Sequence, residues 1–198
     1  MLQVSEIAKQ ERDYATSGDL LERALFSFGR AVHSTFPAAL AQGKARLDFK
    51  RPENREFWLA VWRYIGNIGM RATWRTAYEW ARLLLSLCPD EDPYCVRLVI
   101  DQLAIRAHQA QSFLDLSCSK FFEDRWTGLP NISYSQSLAF NMVGDLSRAR
   151  YALHRSIELF PWVATRLLQV LNIEKTFPAI WGKLAIFALR RCILPHFH

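Results

Sequence analysis

No apolar stretch of this 198-residue chain runs for the roughly 18 residues needed to cross a bilayer without meeting a charge. Even Leu184 to Leu189 runs into Arg190 and Arg191, so no membrane span is expected. The stretch Met1 to Asp13 has no apolar signal-peptide core, because Glu6, Lys9, Glu11, Arg12 and Asp13 interrupt it, and export is not expected. Cysteine is scarce and unpatterned. Cys88, Cys95, Cys118 and Cys192 form no CxxC pair, so reduced and mostly buried thiols are expected, with no disulfide framework. Asn131-Ile132-Ser133 has the form of a glycosylation sequon, but without an export route it reads as accidental.

Catalytic patterns are missing too. There is no G-x-S-x-G, no phosphate-cradling glycine loop, no H-E-x-x-H and no kinase signature. The five histidines (His33, His108, His154, His196, His198) combine with the cysteines in no metal-ligand spacing. No enzyme, cofactor or metal centre is expected. Strict two-residue alternation with hairpin turn signals is also absent, which leaves an all-α fold.

Apolar residues are plentiful at 51%, with 13% aromatic, enough to offset the entropy of ordering a packed core. The net charge of +6 is modest, and arginine supplies 19 of the 25 basic residues. From Lys44 to Arg75, eight basic residues (Lys44, Arg46, Lys50, Arg51, Arg55, Arg63, Arg71, Arg75) face only Asp48, Glu53 and Glu56, a local excess of +5. Such a band suits an acidic protein or ribosomal RNA. It equally suits a solvated face held by local ion pairs.

Helix punctuation recurs along the chain. Asp19 or Ser17 can cap a helix to about Val32, and Pro52 suits the first position of a helix carrying Phe57, Trp58, Val61, Trp62 and Ile65, which Gly66 and Gly69 are expected to stop. Thr73 can cap a third helix, striped by Trp74, Ala77, Ala81, Leu84 and Leu85 and ended by Pro89. A segment restarting at Asp92-Pro93 reaches about Ala107, and another runs from near Gln109 to Arg125. After the loop Thr127 to Pro130, Ser133 is placed to cap a helix to about Val143, Gly144-Asp145 turns into one ending near Phe160, and Pro161 opens a last one that Asn172 closes.

Small residues recur at a fixed offset. From Gly144, residues Ala149, Ser156 and Pro161 fall at +5, +12 and +17, the spacing of the second helix of a tetratricopeptide repeat. Ala77, Leu84 and Pro89 repeat the later steps, and Gly18, Ala24, Ala31 and Pro37 do so within a residue, at irregular intervals. The expected architecture is degenerate tetratricopeptide-like helical hairpins forming an α-solenoid over residues 1–183, with 184–198 a divergent apolar tail. In the acidic turn Pro89-Asp90-Glu91-Asp92-Pro93, Asp92 can cap a helix while its neighbours face solvent or an Arg- or Lys-rich partner.

Several strings, taken in order, carry a family resemblance: Gly18 to Phe26 (GDLLERALF), Arg46 to Phe49 (RLDF), Arg51 to Phe57 (RPENREF), Arg75 to Trp80 (RTAYEW), and Leu83 to Leu87 leading into Pro89 to Pro93 (PDEDP). Together they resemble the ribosome quality control complex subunit 1, or transcription factor 25, family over roughly residues 2–183. The resemblance implies a non-enzymatic helical-repeat adaptor, cytoplasmic and also nuclear, that acts on stalled large ribosomal subunits with a listerin-type E3 ubiquitin ligase. It also implies help with ubiquitination of the trapped nascent chain and its extraction by an AAA-type segregase, with ribosomal RNA as a further contact. The family's other name keeps a nuclear transcriptional regulator as the alternative, although no zinc finger or basic-region helix with heptads is present. Family members usually carry a long charged N-terminal region that this chain does not have, and the familiar pattern stops after Trp181-Gly182-Lys183. A truncated member with reduced function is therefore a third reading. The signature positions Arg51, Glu53, Asn54 and Arg55, with Asp90, Glu91 and Asp92, are the expected partner-binding residues, and helix capping is their competing role.

Overall fold

The computed structural model describes residues 1–172. The described residues are all helical, with eleven α-helices, one short 3-10 turn and no strand. The chain divides into two compact units, Met1–Gln109 and a second from Ala110 onward. The boundary expected at residue 183 and the apolar tail both lie outside the described residues. No described helix is long and apolar enough to cross a membrane.

The first unit contains α1 (Leu2–Gln10), α2 (Tyr14–Ala31), α3 (Phe36–Ala41), α4 (Pro52–Met70), α5 (Trp74–Leu87), a 3-10 turn (Val96–Leu98) and α6 (Ile100–Arg106). Helix α1 packs on α2, α2 on α4 past the short α3, α4 on α5 and α5 on α6. The core is drawn from one stripe of each helix: Leu21 and Ala24, then Trp58, Val61, Ile65 and Ile68, then Ala77, Tyr78, Ala81, Leu84 and Leu85, then Ile100, Leu103 and Ala104. Small residues let the helices approach. A Cβ on Gly18 would stand 2.9 Å from Asn67 Oδ1, and the buried Asn67 reaches across from α4 to donate to the Tyr14 carbonyl at 2.9 Å.

The second unit contains α7 (Ala110–Ser117), α8 (Lys120–Trp126), α9 (Pro130–Met142), α10 (Leu146–Leu159) and α11 (Pro161–Val170). Helix α7 packs on α8 and α9, α9 on α10, and α10 on α11. Phe113, Leu114, Phe122, Trp126, Ile132, Ala139, Ala149 and Ala164 are buried here.

One turn design recurs. Helices α1, α3, α4, α6 and α9 each end in a left-handed residue, Arg12, Gly43, Ala72, His108 and Gly144, with φ of 63°, 69°, 58°, 54° and 87°. The next backbone N–H reaches back five residues, from Asp13 to the Ala8 carbonyl, Lys44 to Ala39, Thr73 to Ile68, Gln109 to Ala104 and Asp145 to Phe140. This is the double closure of a Schellman turn. The last three copies, at 72, 108 and 144, recur every 36 residues.

Five expectations are corrected by this geometry. Helix α2 starts at Tyr14, capped by Asp13, which accepts from the Thr16 N–H at 3.0 Å; Ser17 lies inside the helix, its hydroxyl donating to the Ser5 carbonyl at 2.8 Å. Gly66 and Gly69 do not stop α4, because burial of the Trp58, Val61, Ile65 and Ile68 side chains outweighs the ~1 kcal/mol that each glycine costs a helix. The helix expected from Gln109 to Arg125 breaks at Cys118-Ser119, where Ser119 turns extended and donates its hydroxyl to the Leu116 carbonyl at 2.7 Å. Ser133 caps nothing: Pro130 takes the first position of α9, and the Ser133 hydroxyl lies 2.6 Å from that of Ser156 on α10. The thiols Cys88, Cys95 and Cys118 are free, but Cys95 and Cys118 are exposed because both occupy turns, not core stripes.

The two aspartate caps give one pH prediction. The Arg148 backbone N–H, then its guanidinium, hold the Asp145 carboxyl below its ordinary value of 3.8. The Thr16 side chain and backbone N–H do the same for Asp13. A depressed carboxylate stabilises the fold above its ordinary value and loses that contribution as pH falls through the lowered one. Asp145→Asn should therefore differ from the wild type in thermal stability at pH 7, and the gap should close as pH falls below 3.8. A gap that stays constant down to pH 2 would remove the ionised cap from the account.

Candidate interaction site

The loop between α3 and α4 brings the two signature strings together. Its Leu47 N–H donates to the Leu87 carbonyl at the end of α5, at 3.0 Å. The first turn of α4 then grips the loop's own carbonyls. Asn54 Nδ2 donates to the Asp48 carbonyl at 2.7 Å, and Arg55 donates from Nε to the Phe49 carbonyl and from Nη2 to the Lys50 carbonyl, both at 3.3 Å. Asp48 folds back to accept from the Lys50 N–H at 2.8 Å.

So held, Phe49 sits edge-on to Trp58 of α4 at 6.0 Å between centroids and edge-on to Tyr94 at 5.9 Å, with the Arg55 guanidinium 5.7 Å from its centre. Tyr94 leans in turn on Trp62 at 5.7 Å. Partial burial pushes the Tyr94 hydroxyl up from its ordinary value, against a smaller downward pull from Arg63. Because Tyr94 immediately follows Pro89 to Pro93, the acidic turn and the RPEN string close on one aromatic cluster.

Asp92 is the hinge of the acidic turn. It is 3% exposed, has φ of 44°, and accepts from the Val96 N–H at 2.8 Å and the Arg97 N–H at 3.0 Å, with Arg97 Nη1 at 3.9 Å. Its neighbour Glu91 meets Lys50 at 2.7 Å, and that hydrogen bond, with the charge of Glu91 behind it, raises the lysine above its ordinary value. Both partners of this pair are exposed, so solvent screens most of its worth.

The seven signature residues thus divide. Asn54, Arg55 and Asp92 use their polar atoms to brace the corner, and Glu91 uses its carboxylate on Lys50. Arg51, Glu53 and Asp90 lie on the exposed surface beside them. The basic band divides likewise: Arg46 donates to the Gly43 and Ala45 carbonyls, Arg63 to the Leu2 carbonyl and to Glu6, and Lys50 and Arg55 are engaged as above. Sequence reasoning counted Lys50 in the basic band and Phe49 in a signature string, but assigned neither to this corner, and it did not single out Tyr94. Phe49 was open to detection as the single aromatic of the loop, whereas the Lys50–Glu91 pair depends on contacts across 41 positions that no local pattern displays.

Among the described residues, no three His, Cys, Asp or Glu side chains gather in a way that would hold a metal ion. A family model described as "Transcriptional repressor TCF25" matches residues 1–197. The chain belongs to the TCF25 family. It is 35% identical over 186 residues to a mouse protein named "Ribosome quality control complex subunit TCF25", covering 88% of this chain and 27% of the mouse protein. To the Schizosaccharomyces pombe protein named "Ribosome quality control complex subunit 1" it is 34% identical over 181 residues, covering 91% of this chain and 27% of that one. A protein of Ampulloclitocybe clavipes named "Probable transcription factor claV" is 33% identical over 192 residues, covering 88% of this chain and 24% of its own length. The chain therefore spans about a quarter of the length of the curated relatives it matches. No solved structure matches it.

Proposed function

We propose that this chain is a non-enzymatic adaptor module of ribosome-associated quality control. In this reading it binds the large ribosomal subunit and a listerin-type ubiquitin ligase, and assists ubiquitination and segregase-driven extraction of the stalled nascent chain. The observation that carries it is the convergence of the two signature strings on one braced corner, which presents Arg51, Glu53 and the Lys50–Glu91 pair on a rigid base. A scaffold that fixes charged side chains without gathering a reactive set suits recognition. The names of the mouse and fission-yeast relatives point the same way. The 36-residue recurrence of the turns supports a tetratricopeptide-like solenoid as the architecture, and the reading places the chain in the cytoplasm, with ribosomal RNA as a further contact for the basic band.

Tagged chain recovered from a stalled-translation lysate at moderate salt is expected to sediment with large subunits and to carry the ligase. Salt matters because phosphate-driven adhesion weakens steeply with it. Arg51→Glu should cut that recovery by about tenfold without loss of stability, since Arg51 is exposed at the entry of α4. Arg55→Glu instead removes a brace and should lower both. Folded chain that recovers neither subunits nor ligase sinks the reading. The second reading, a nuclear transcriptional regulator, is favoured by the family description and the Ampulloclitocybe relative. Selective retention of one DNA sequence over competitor DNA would support it instead.

A further inference from the structure

A groove of about 350 Å³ opens on the first unit against α4, α5 and α6. Its walls include Trp62 and Trp74, and Gly66 and Gly69 of α4 line it between them. The Arg106 guanidinium lies 4.6 Å from the centre of the Trp74 ring, which fixes that wall. Met70, on the lip, is 63% exposed.

The two glycines are the unexplained feature. Both sit inside α4 and neither has a positive φ. A Cβ on Gly66 would meet nothing within 4 Å, and one on Gly69 would meet only the Trp74 ring, at an ordinary 3.6 Å. Internal packing therefore requires glycine at neither position, and the helix is weakened without compensation from its own fold. What a bare α4 surface admits is close approach by something from outside. The charge of the rim says what kind of thing. Every ionisable side chain lining the groove is a cation: Lys9, Arg63 and Arg106. Glu6 stands behind two of them, 3.8 Å from Lys9 and 3.3 Å from Arg63, and leaves a net +2 over the four groups.

We propose that this groove takes the apolar anchor of an acidic segment of a partner protein, the anchor resting on Gly66 and Gly69 and its flanking carboxylates meeting Lys9 and Arg106. The proposal rests on the groove alone and is independent of the quality-control reading. A nucleic acid fits less well, since base stacking needs open ring faces and here Arg106 already lies over Trp74 while Trp62 leans on Tyr94.

The test is panning of a phage-displayed library of random 16-residue peptides on the immobilised 198-residue chain, with the Gly66→Leu chain as counter-selection. Leucine at 66 points into open space, so it fills the groove and leaves the core alone. Peptides retained by the wild type and lost on Gly66→Leu are expected to carry an aromatic or branched anchor flanked by Asp and Glu. A synthetic peptide of the leading sequence should bind Arg106→Glu chain about tenfold more weakly in fluorescence polarisation, a second variant that does not depend on residue 66. Gly66→Ala should raise the melting temperature by about 2–4 °C, as expected if glycine is not kept for the fold. Absence of enrichment over Gly66→Leu, enrichment of neutral or basic peptides, or full displacement of the peptide by poly-uridine overturns the proposal.

Discussion

Trp58→Ala should lower the stability of the first unit by about 3–5 kcal/mol, the range for removing a fully buried large aromatic. Trp58 is 0% exposed, begins the stripe by which α4 meets its neighbours, and carries Phe49 edge-on against its ring. For a chain of this size each kcal/mol corresponds to roughly 2–4 °C in melting temperature, so the fall should be readily seen by circular dichroism. Trp58→Phe separates packing from polarity. The indole Nε1 is buried with no hydrogen-bond partner among the described residues, so phenylalanine loses volume but also removes a donor that folding strips of water. Its cost should stay under about 1.5 kcal/mol. Phe49→Ala combined with Trp58→Ala should cost less than the sum of the two alone, because each removes the same ring contact. Additive costs would mean that the loop does not lean on the helix. A loss under about 1 kcal/mol for Trp58→Ala would place this residue outside the core.

Helix starts were legible in the sequence at Pro52 and Pro161, but not at Asp13 or Pro130, where the caps were sought at Ser17 or Asp19 and at Ser133. Pro52, Pro130 and Pro161 stand at first helical positions, and Asp145 caps α10 by accepting from the Arg148 N–H at 2.9 Å. Turns were legible only where glycine marked them. Gly43 and Gly144 are left-handed turns, but the three counterparts at Arg12, Ala72 and His108 use residues that pay about 1–2 kcal/mol for the same backbone and advertise nothing. A search anchored on glycine therefore missed the 36-residue interval of the turns at 72, 108 and 144. Gly18 misled it further, being read as a turn when it is the point at which α2 admits Asn67 from α4. Such a contact spans 49 positions, and local pattern carries no trace of it.

The site was legible as residues and not as a place. RPEN and PDEDP were singled out as two strings, yet the partners through which their side chains meet, Phe49, Lys50 and Tyr94, belong to neither. Phe49 and Tyr94 lie just outside, as does Lys50, and the clip from Leu47 to Leu87 is a backbone bond that depends on no side chain. Capping, weighed against partner contact for these positions, turns out to describe some and not others. Asn54 and Asp92 saturate backbone groups, whereas Arg51 and Glu53 are left at the surface by the same turn of helix.

Asp92→Ala should cost the fold about 2–4 kcal/mol, although it removes only a small side chain. Two backbone donors, the Val96 N–H in a buried position and the Arg97 N–H, would lose a charged acceptor. Alanine would also have to hold φ of 44°, a conformation that Asp and Asn tolerate better than other side chains. Asp92→Asn is the diagnostic partner. Asparagine accepts the left-handed backbone and can still satisfy Val96 through its single oxygen, but its amide nitrogen would face the Arg97 N–H, donor against donor, so its cost should fall clearly between wild type and alanine. Hydrogen exchange should localise the effect, with protection lost first at Val96 and Arg97 and then at Leu47, whose bond to Leu87 lies just before the turn. If exchange at Leu47 is unchanged in a destabilised Asp92→Ala chain, the acidic turn and the loop before α4 open independently. The two signature strings would then share a location without sharing stability.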